Sequence, residues 1–372
     1  MNVIKIATQL LGGLVMVWAL LTLNSGCSRY YQGPESDHFD GSRFFNPGQP
    51  MHKGFAEFLK WRLSGERGAW PRFSELARYD HPPARVEGEQ LRVALVGHAT
   101  VLIQTQGLNI LTDPLFSERT SPVSWAGPRR VHPPGVSLED LPPIDLIWIS
   151  HNHYDHLDLV SLDHLWQRDQ PRIIVPLGND RIITAHNPAI RVEAYDWGAG
   201  VEVGPQLRVH LLPVQHWSAR GLFDRNQALW AAFVLTTPRG NIFFDGDSGY
   251  GRGQAFQAAR QRFGSFRLAI LPIGDYSPRW FMAYGHMNPR EALQAWADLG
   301  RPYMLPIHYG MFQLADTGYR EPLQDLEQAL AADQQAAARV QPLAAGGFWL
   351  VPLGEDVVHP EETATVDPRD GD

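Results

Sequence analysis

The sequence predicts a layered α/β domain. Short apolar runs follow one another from residue 91 onward with turn residues between them, which is typical of β-strands. Helical patterns are interleaved with these runs, and such a mixture indicates sheets covered by helices. The chain has 372 residues, of which 44% are apolar, so it can fill a sizeable core. We therefore expect a globular α/β fold.

Residues 1–27 are predicted to be a targeting segment that does not belong to the fold. Lys5 is followed by an uncharged stretch over residues 6–26, and Cys27, the only cysteine of the chain, comes next. An apolar segment that ends in small residues before a lone cysteine resembles a bacterial lipoprotein signal, in which that cysteine is acylated. An uncleaved membrane anchor is one alternative, because about 20 apolar residues can span a bilayer, and an ordinary cleaved signal is another. We expect a lipid-anchored protein on the periplasmic side of the cell envelope, at the outer membrane rather than the inner.

Residues 28–85 are rich in Pro, Gly and aromatic residues and show no sustained helical or alternating period. They are predicted to form an extension wrapped over a catalytic domain of residues 86–353. Strands of that domain are expected at LRVALV, TVLIQT, LNILTD, IDLIWIS, RIIVP, LRVHLLPV, LWAAFVLTT, NIFFD, RLAILPI and YMLPI.

Two helices have clear sequence signals. The first shows helical spacing at Leu159, Leu162, Leu165 and Trp166. The second has Asn288 as its cap and Pro289 at its first position, and Gly300 ends it.

The charge balance argues against a nucleic-acid partner. The chain carries a net charge of -8, but residues 354–372 hold seven acidic residues against one basic residue. The rest of the chain is close to neutral and shows no clustered basic surface of the kind that phosphate backbones require. The acidic tail is predicted to be a solvated, disordered end.

Residues 150–158 read SHNHYDHLD directly after the apolar run IDLIWI. His151 and His153 are two residues apart, so an extended chain turns both imidazoles to one side. Asp155 and His156 follow after a turn and can face a second point nearby. A loop at the end of a buried strand holds such side chains still. This one loop could therefore serve two metal ions.

The remaining ligands are expected at the ends of later apolar strands. LRVHLLPV leads into His216, NIFFD leads into Asp247 within a Gly-flanked turn, and YMLPI leads into His308. A single His or Asp at a strand end is more often a hydrogen-bonding residue than a ligand. The combination of all three with the first cluster carries the prediction of a metal site.

This arrangement is similar to the metal-binding pattern of the metallo-β-lactamase superfamily, whose fold is a four-layer αββα sandwich. More closely, the chain resembles the N-acylphosphatidylethanolamine-hydrolysing phospholipase D family over roughly residues 91–330. The resemblance rests on GHATVLI, ILTDPLFSERTSP, SHNHYDHLD, PVQHW, LWAAFVL, FFDGDSGY, PRWFMAYGHMNP and IHYGMF. Gly285 departs from the family, in which a larger polar residue such as Gln is expected.

The resemblance implies two zinc ions per chain. It assigns His151, His153 and His216 to one ion, Asp155, His156 and His308 to the other, and Asp247 to a bridge between them. Imidazole nitrogen and carboxylate oxygen suit zinc, and a hydroxide shared by two such ions can exist near neutral pH. The ions outweigh the carboxylates, so the centre favours an anionic phosphodiester. The implied reaction is attack on phosphorus, with N-acylphosphatidylethanolamine cleaved to N-acylethanolamine and phosphatidic acid.

Other residues have weaker signals. Asp113 is expected either to orient a ligand imidazole or to cap the turn before Pro114. His98 is interpreted as a buried structural histidine, with a place beneath the site as the alternative. His286 is predicted to donate a proton or a hydrogen bond to the substrate, a role that Tyr284 or Asn288 could also serve.

Two alternative roles are open for each set of aromatic and basic residues. An acyl-chain entrance could be lined by Trp217, Trp280, Phe281 and Met282, whose default role is core packing. Arg129 and Arg130 could meet a phosphate headgroup, although a solvated pair is favoured.

Three functions are in competition. The leading one is a zinc phosphodiesterase whose partners are a phospholipid substrate and the membrane surface, with a homodimer as a candidate assembly. The second is a metal-dependent hydrolase of a soluble substrate, such as a lactone or a nucleotide phosphodiester, on the same fold. The third is a lipoprotein that binds metal or a partner without catalysis, and seven ligands of the right type argue against it.

Overall fold

A computed structural model describes residues 30–353, except residues 52, 76 and 77. The predicted segment 1–27 with Cys27 and the acidic tail 354–372 lie outside the described residues. Within the described residues, the first regular element lies in the extension and the last is formed by residues 348–350.

The described part of the chain holds thirteen strands and eight helices. The strands are β1 (Leu91–Gly97), β2 (Thr100–Thr105), β3 (Leu108–Thr112), β4 (Leu146–Trp148), β5 (Arg172–Pro176), β6 (Val192–Tyr195), β7 (Gly200–Gly204), β8 (Leu207–Leu212), β9 (Ala232–Thr236), β10 (Asn241–Phe244), β11 (Phe266–Pro272), β12 (Tyr303–Ile307) and β13 (Phe348–Leu350). The helices are α1 (Phe55–Ser64), α2 (Leu159–Asp169), α3 (Asn179–His186), α4 (Gln254–Phe263), α5 (Arg279–Met282), α6 (Pro289–Asp298), α7 (Glu321–Leu330) and α8 (Gln334–Arg339).

The strands form two mixed sheets. One has seven strands in the order β13-β1-β2-β3-β4-β5-β6, and the other has six in the order β12-β11-β10-β9-β8-β7. The pairs from β3 to β6 are parallel, as are those joining β10, β11 and β12. The remaining pairs are antiparallel.

Three hydrophobic clusters define four layers. Alternate residues of β1 divide between two of them: Val93 and Leu95 face the other sheet, whereas Ala94 and Val96 face the helices. The cluster between the sheets includes a parallel stack of Trp148 on Phe233, with ring centroids 5.5 Å apart. Helices α2 and α3 cover the seven-stranded sheet, and α4, α6 and α7 cover the six-stranded sheet. The predicted four-layer αββα sandwich is confirmed.

The two predicted helices form with the expected caps. Asp158 caps α2 by accepting a hydrogen bond from the Val160 amide. Asn288 caps α6 and forms a reciprocal capping box with Glu291, with Pro289 at the first position.

The extension differs from the sequence prediction because it contains helix α1. The helix follows Gly54, and its buried residue Trp61 stacks on Phe281 of α5 at a centroid distance of 5.0 Å. A ten-residue helix gains most of its stability from tertiary contacts. The packing of Trp61, more than any local pattern, therefore explains the helix. Among the described residues, none of the helices has the length and apolar composition needed to cross a membrane.

Candidate metal centre

Seven predicted ligands converge at one edge of the two sheets. They lie on the segments that follow β4, β8, β10 and β12, where strand ends position them. Three overlapping groups, each with ligand atoms within 4.8 Å of one another, contain all seven: His151, His153 and His216; His151, His156 and Asp247; and His98, Asp155, His156 and His308.

The first group consists of three imidazoles. His151 Nε2 lies 2.8 Å from His153 Nδ1, and His216 Nε2 lies 3.4 Å from the same His153 atom. His151 and His216 are buried. The structure thus brings together the three residues that the sequence assigned to one ion.

The second group is built around Asp155. Its Oδ2 atom lies 3.3 Å from both His156 Nε2 and His308 Nε2, and those two nitrogens are 3.2 Å apart. His98 also belongs to this group, because its Nε2 lies 2.9 Å from Asp155 Oδ2. The sequence favoured a structural histidine at position 98, whereas the structure places it against a predicted ligand.

Asp247 lies between the two groups. Its Oδ2 atom is 3.2 Å from His308 Nε2, 3.5 Å from His156 Nε2 and 3.8 Å from His216 Nε2. One carboxylate can therefore contact ions held by either group.

Groups behind the ligands fix their orientation. Asp113 Oδ2 lies 2.7 Å from His156 Nδ1, and its two oxygens also accept from the amide and hydroxyl of Ser150 at 2.6 Å. His216 Nδ1 donates to the carbonyl of Gly285 at 3.0 Å. Asp275 Oδ2 lies 3.2 Å from His308 Nδ1, close enough for an ion pair but without hydrogen-bond geometry. Partners of this kind fix the tautomer of a metal-binding histidine.

Burial and neighbouring charges set the protonation of the cluster. Burial lowers the pKa of His151 and of His216 well below the ordinary value, which keeps both rings neutral and able to offer a lone pair. Burial opposes ionisation of both Asp155 and Asp247. The positive charge on His156 nevertheless holds the pKa of Asp155 well below its usual range. The positive charges on His308 and His286 do the same for the pKa of Asp247. Both carboxylates are therefore ionised at neutral pH.

The donor set fits a metal ion. The ring nitrogens of His151 and His153 face each other at 2.8 Å, so at most one of them carries a proton and the other offers a lone pair. Both carboxylate oxygens of Asp247 and Nε2 of His153 are buried and make no hydrogen bond within the described residues. Donors of one tetrahedral zinc ion are about 3.3 Å apart, given bonds of about 2.0 Å. The separations of 2.8 to 3.8 Å bracket that value.

Four of the residues that build the centre have left-handed backbone conformations. The φ angles are 55° at His98, 35° at Asp113, 54° at Asp275 and 66° at His308. Such values are uncommon for residues other than Gly and cost on the order of 1–2 kcal/mol each. The surrounding sheet edge holds these side chains toward the centre against that cost.

His286 lies at the edge of the cluster. Its Nδ1 atom is 3.5 Å from Asp247 Oδ1, and its side chain remains 18% exposed, whereas those of His216 and His308 are fully buried. Tyr284 and Asn288 are engaged elsewhere: the Tyr284 hydroxyl donates to the Gln49 carbonyl, and Asn288 caps α6. Of the three candidates for a proton donor, we favour His286, because its ring adjoins Asp247 and is partly exposed.

Of the four aromatic and apolar residues predicted to line an entrance, two lie near the centre or the surface and two pack against α1. Trp217 packs edge to face on His153 at 4.4 Å, and Trp280 is 44% exposed. Phe281 and Met282 pack against Trp61.

The favoured reading of Arg129 and Arg130 as a solvated pair is wrong for Arg130. Arg129 pairs with Glu118 at the surface. The Arg130 guanidinium is largely buried and donates to the carbonyls of Leu115 and Ser117, because the segment before it folds back over its stem.

Position 285 faces the centre directly. A Cβ atom there would lie 3.3 Å from the His216 ring and 3.4 Å from Trp217 Nε1. Gly285 therefore allows its own carbonyl to approach His216.

Sequence reasoning missed Ser150, Asp275 and the Gly285 carbonyl. Asp275 follows β11 in the run LAILPIGD, which is the same pattern of strand followed by a polar residue that revealed the other ligands. That signal was present for Asp275, but a backbone carbonyl leaves none.

Comparison with known proteins agrees with this geometry. Residues 108–309 match the family model described as a β-lactamase superfamily domain. An uncharacterized protein of Mycobacterium tuberculosis is 36% identical over 280 residues, which are 74% of this chain and 73% of that protein. The N-acyl-phosphatidylethanolamine-hydrolyzing phospholipase D 1 of Caenorhabditis elegans is 35% identical over 246 residues, which are 64% of this chain and 69% of that protein.

A solved structure supports the fold. A metallo hydrolase from the archaeon Ignicoccus hospitalis superposes with a TM-score of 0.53 at 19% identity, covering 71% of this chain and all of that one. The superfamily match, the sandwich and the convergent His and Asp residues agree with one another. The chain belongs to the metallo-β-lactamase superfamily and is a metal-dependent hydrolase of that fold.

Proposed function

We propose that the protein is a dinuclear zinc hydrolase of the phospholipase D type, which cleaves N-acylphosphatidylethanolamine to N-acylethanolamine and phosphatidic acid. The observation that carries the proposal is the pair of ligand groups with Asp247 between them, in a chain similar to an enzyme of that name. Bound zinc would lower the pKa of water and offset the negative charge of the phosphodiester.

The protein's own residues have separate tasks in this reaction. Two zinc ions would outweigh the ionised carboxylates of Asp155 and Asp247, so the occupied site would keep a positive balance for an anionic substrate. The oxygen of water joins phosphorus, the bond from phosphorus to the ethanolamine oxygen breaks, and a proton goes to the departing alkoxide. We assign that proton transfer to His286, whose Nδ1 atom lies 3.5 Å from Asp247 Oδ1.

The surface beside α5 supports a substrate held in a bilayer. Trp280 is exposed next to α1, whose Phe58, Leu59 and Leu63 are 43%, 44% and 79% exposed. The ammonium of Lys60 lies 5.0 Å from the centre of the Trp280 ring. Exposed apolar side chains with basic neighbours are typical of membrane-surface contacts.

The reaction is tested by supplying N-acylphosphatidylethanolamine vesicles to the purified, metal-analysed protein in ¹⁸O-labelled water. Label is expected in phosphatidic acid, because water attacks phosphorus. Label in the ethanolamine alcohol would refute that attack. Rapid hydrolysis of a lactone or a nucleotide phosphodiester, with no cleavage of any phospholipid, would favour the soluble-substrate alternative.

His286→Ala is expected to lower turnover on the order of 10²-fold and to leave the zinc content unchanged, because a general acid is lost while the ligand groups remain. Steady-state rates on vesicles and elemental analysis measure the two effects. His210→Ala is the control. His210 lies on β8, is half-buried against Phe263 of α4 and belongs to none of the ligand groups. Loss of an ion in the His286 variant would make His286 a ligand instead of an acid.

We also propose that the N-terminus ties the enzyme to a membrane through acylated Cys27. Cys27→Ser should abolish metabolic labelling with a fatty acid and release the protein from the membrane fraction. If the natural chain took up no lipid and the variant stayed membrane-bound, an uncleaved anchor would replace the lipoprotein proposal.

A further inference from the structure

The described residues of a short piece of the N-terminal extension, over residues 46–61, contact two segments of the candidate centre. One of these segments carries His216, and the other, residues 279–286, carries His286. We call residues 46–61 the strap. The side chains of Asn46, Lys53 and Trp61 make its contacts with the two segments.

Asn46 joins the two segments directly. Its side-chain amide nitrogen donates to the carbonyl of His216 at 2.7 Å and to the hydroxyl of Tyr284 at 2.5 Å. Its side-chain oxygen accepts from the indole of Trp230 at 3.3 Å. Asn46 is buried, so these bonds are not exchanged with water. Every polar atom of this side chain is therefore committed to a partner.

These contacts close a ring of interactions around His216. The His216 imidazole donates to the Gly285 carbonyl, and the neighbouring Tyr284 binds Asn46, which returns to the His216 main chain. Both the ring and the backbone of His216 are thus tied to residues 284 and 285. Removing Asn46 would leave this segment tied to residues 284 and 285 through the Gly285 bond and through the Gln215 side chain, which donates to the Tyr284 carbonyl at 2.8 Å.

Further contacts fasten the rest of the strap. The Tyr284 hydroxyl donates to the Gln49 carbonyl at 2.9 Å, and burial raises the pKa of Tyr284, which keeps that donor protonated. Lys53 Nζ donates to the Phe281 carbonyl at 2.6 Å, and Trp61 stacks on the Phe281 ring. The strap is therefore bound along the whole segment that leads to His286.

We propose that Asn46 is a positioning residue for the metal centre, and that the extension is for this reason a structural part of the active site. Asn46 touches no ligand side chain and acts through the main chain of His216 and through Tyr284. The inference rests on the proposed metal binding, and it identifies a residue that lies far from the ligand motifs in sequence.

The test compares Asn46→Asp with Asn109→Asp in the purified full-length protein. Asp has the size of Asn but cannot donate, so it sets a carboxylate against the His216 carbonyl. Asn109 is the matched control: it is buried, and its amide likewise joins the extension to the domain through the carbonyls of Ala84 and Pro143. Both variants lose comparable hydrogen bonds, but only one adjoins a ligand.

Zinc affinity by competition with a chelator is the first readout, and the visible spectrum of the Co²⁺-substituted protein is the second. Asn46→Asp should weaken binding of one of the two ions roughly 10-fold or more, as is typical for partners behind metal ligands, and should change the cobalt spectrum. Tyr284→Phe, which keeps the ring and removes the hydroxyl, should give a smaller change in the same direction. Asn109→Asp should lower thermal stability with zinc affinity and spectrum unchanged.

Equal zinc affinities and spectra in the two Asp variants would overturn the inference, whatever their stabilities. A natural chain that bound no zinc would overturn it together with the proposed function. Zinc binding without any phospholipase activity would count against the proposed substrate only, and the titrations would still decide the role of Asn46.

Discussion

Replacing Asp247 with Asn is expected to lower turnover by several orders of magnitude and to lower the zinc content of the purified protein. One oxygen of Asp247 lies within 3.8 Å of ring nitrogens from both ligand groups. Asn has the same size but no negative charge, so the affinity for both ions should fall together. The rate on N-acylphosphatidylethanolamine vesicles and the number of zinc ions per chain measure the effect.

Asp245→Asn is the matched control. Asp245 follows the same strand, is equally buried and accepts a hydrogen bond from Ser248 at 2.5 Å, but belongs to none of the ligand groups. Burial raises the pKa of Asp245 to about 7, so this carboxyl is only partly ionised at neutral pH and an amide removes less charge there than at Asp247, whose pKa lies well below its usual range. Its zinc content and turnover should stay near those of the natural chain. An Asp247→Asn protein that kept both ions and its activity would refute the shared carboxylate.

The Asp113→Asn substitution is expected to weaken zinc binding roughly 10- to 100-fold, because it removes the charge behind His156. Burial disfavours a charged His156, yet Asp155 and Asp113 raise the pKa of this imidazole well above its ordinary value. Asn can still accept one hydrogen bond at position 113, but it no longer offers two anionic oxygens to His156 and Ser150. Chelator competition measures the affinity, and thermal unfolding shows whether the fold persists.

A loss of stability alone would not show that Asp113 acts on the metal, so a second buried carboxylate is needed for comparison. Asp80 binds Arg92 through both oxygens at 2.6 and 2.7 Å, and both residues are buried. Asp80→Asn should destabilise the protein by weakening that pair, with zinc affinity intact. If Asp113→Asn behaved in the same way, Asp113 would be a purely structural residue.

The strands were predictable where buried apolar runs are bounded by turn residues, as in β1, β2 and β11. Strands β6 and β7 escaped prediction because they are short and largely half-buried, and β13 because it is a three-residue edge strand. Their residues are placed by pairing with β5, β8 and β1, and no local pattern encodes those partners.

The ligands themselves were visible in the sequence because metal-capable residues are rare at the ends of apolar strands. Their supporting partners were harder to find. Asn46 lies 170 residues before His216 in the chain, and its neighbours Phe45 and Pro47 give no hint of that contact. Long-range hydrogen bonds of this kind depend on the folded arrangement and not on a local signal.

The left-handed backbone at His98, Asp113, Asp275 and His308 carries a steric cost at four positions whose side chains hold or support the metal groups. Glycine would relieve the steric cost at each of them, on the order of 1 kcal/mol or more, and would delete a side chain that holds or supports the metal groups. The same substitution would also remove buried hydrogen bonds, such as those from Ser150 to Asp113, so heat resistance alone would not report whether the metal groups are intact. Any programme to evolve a more robust enzyme from this chain must select for turnover in every round, or must keep these four positions fixed.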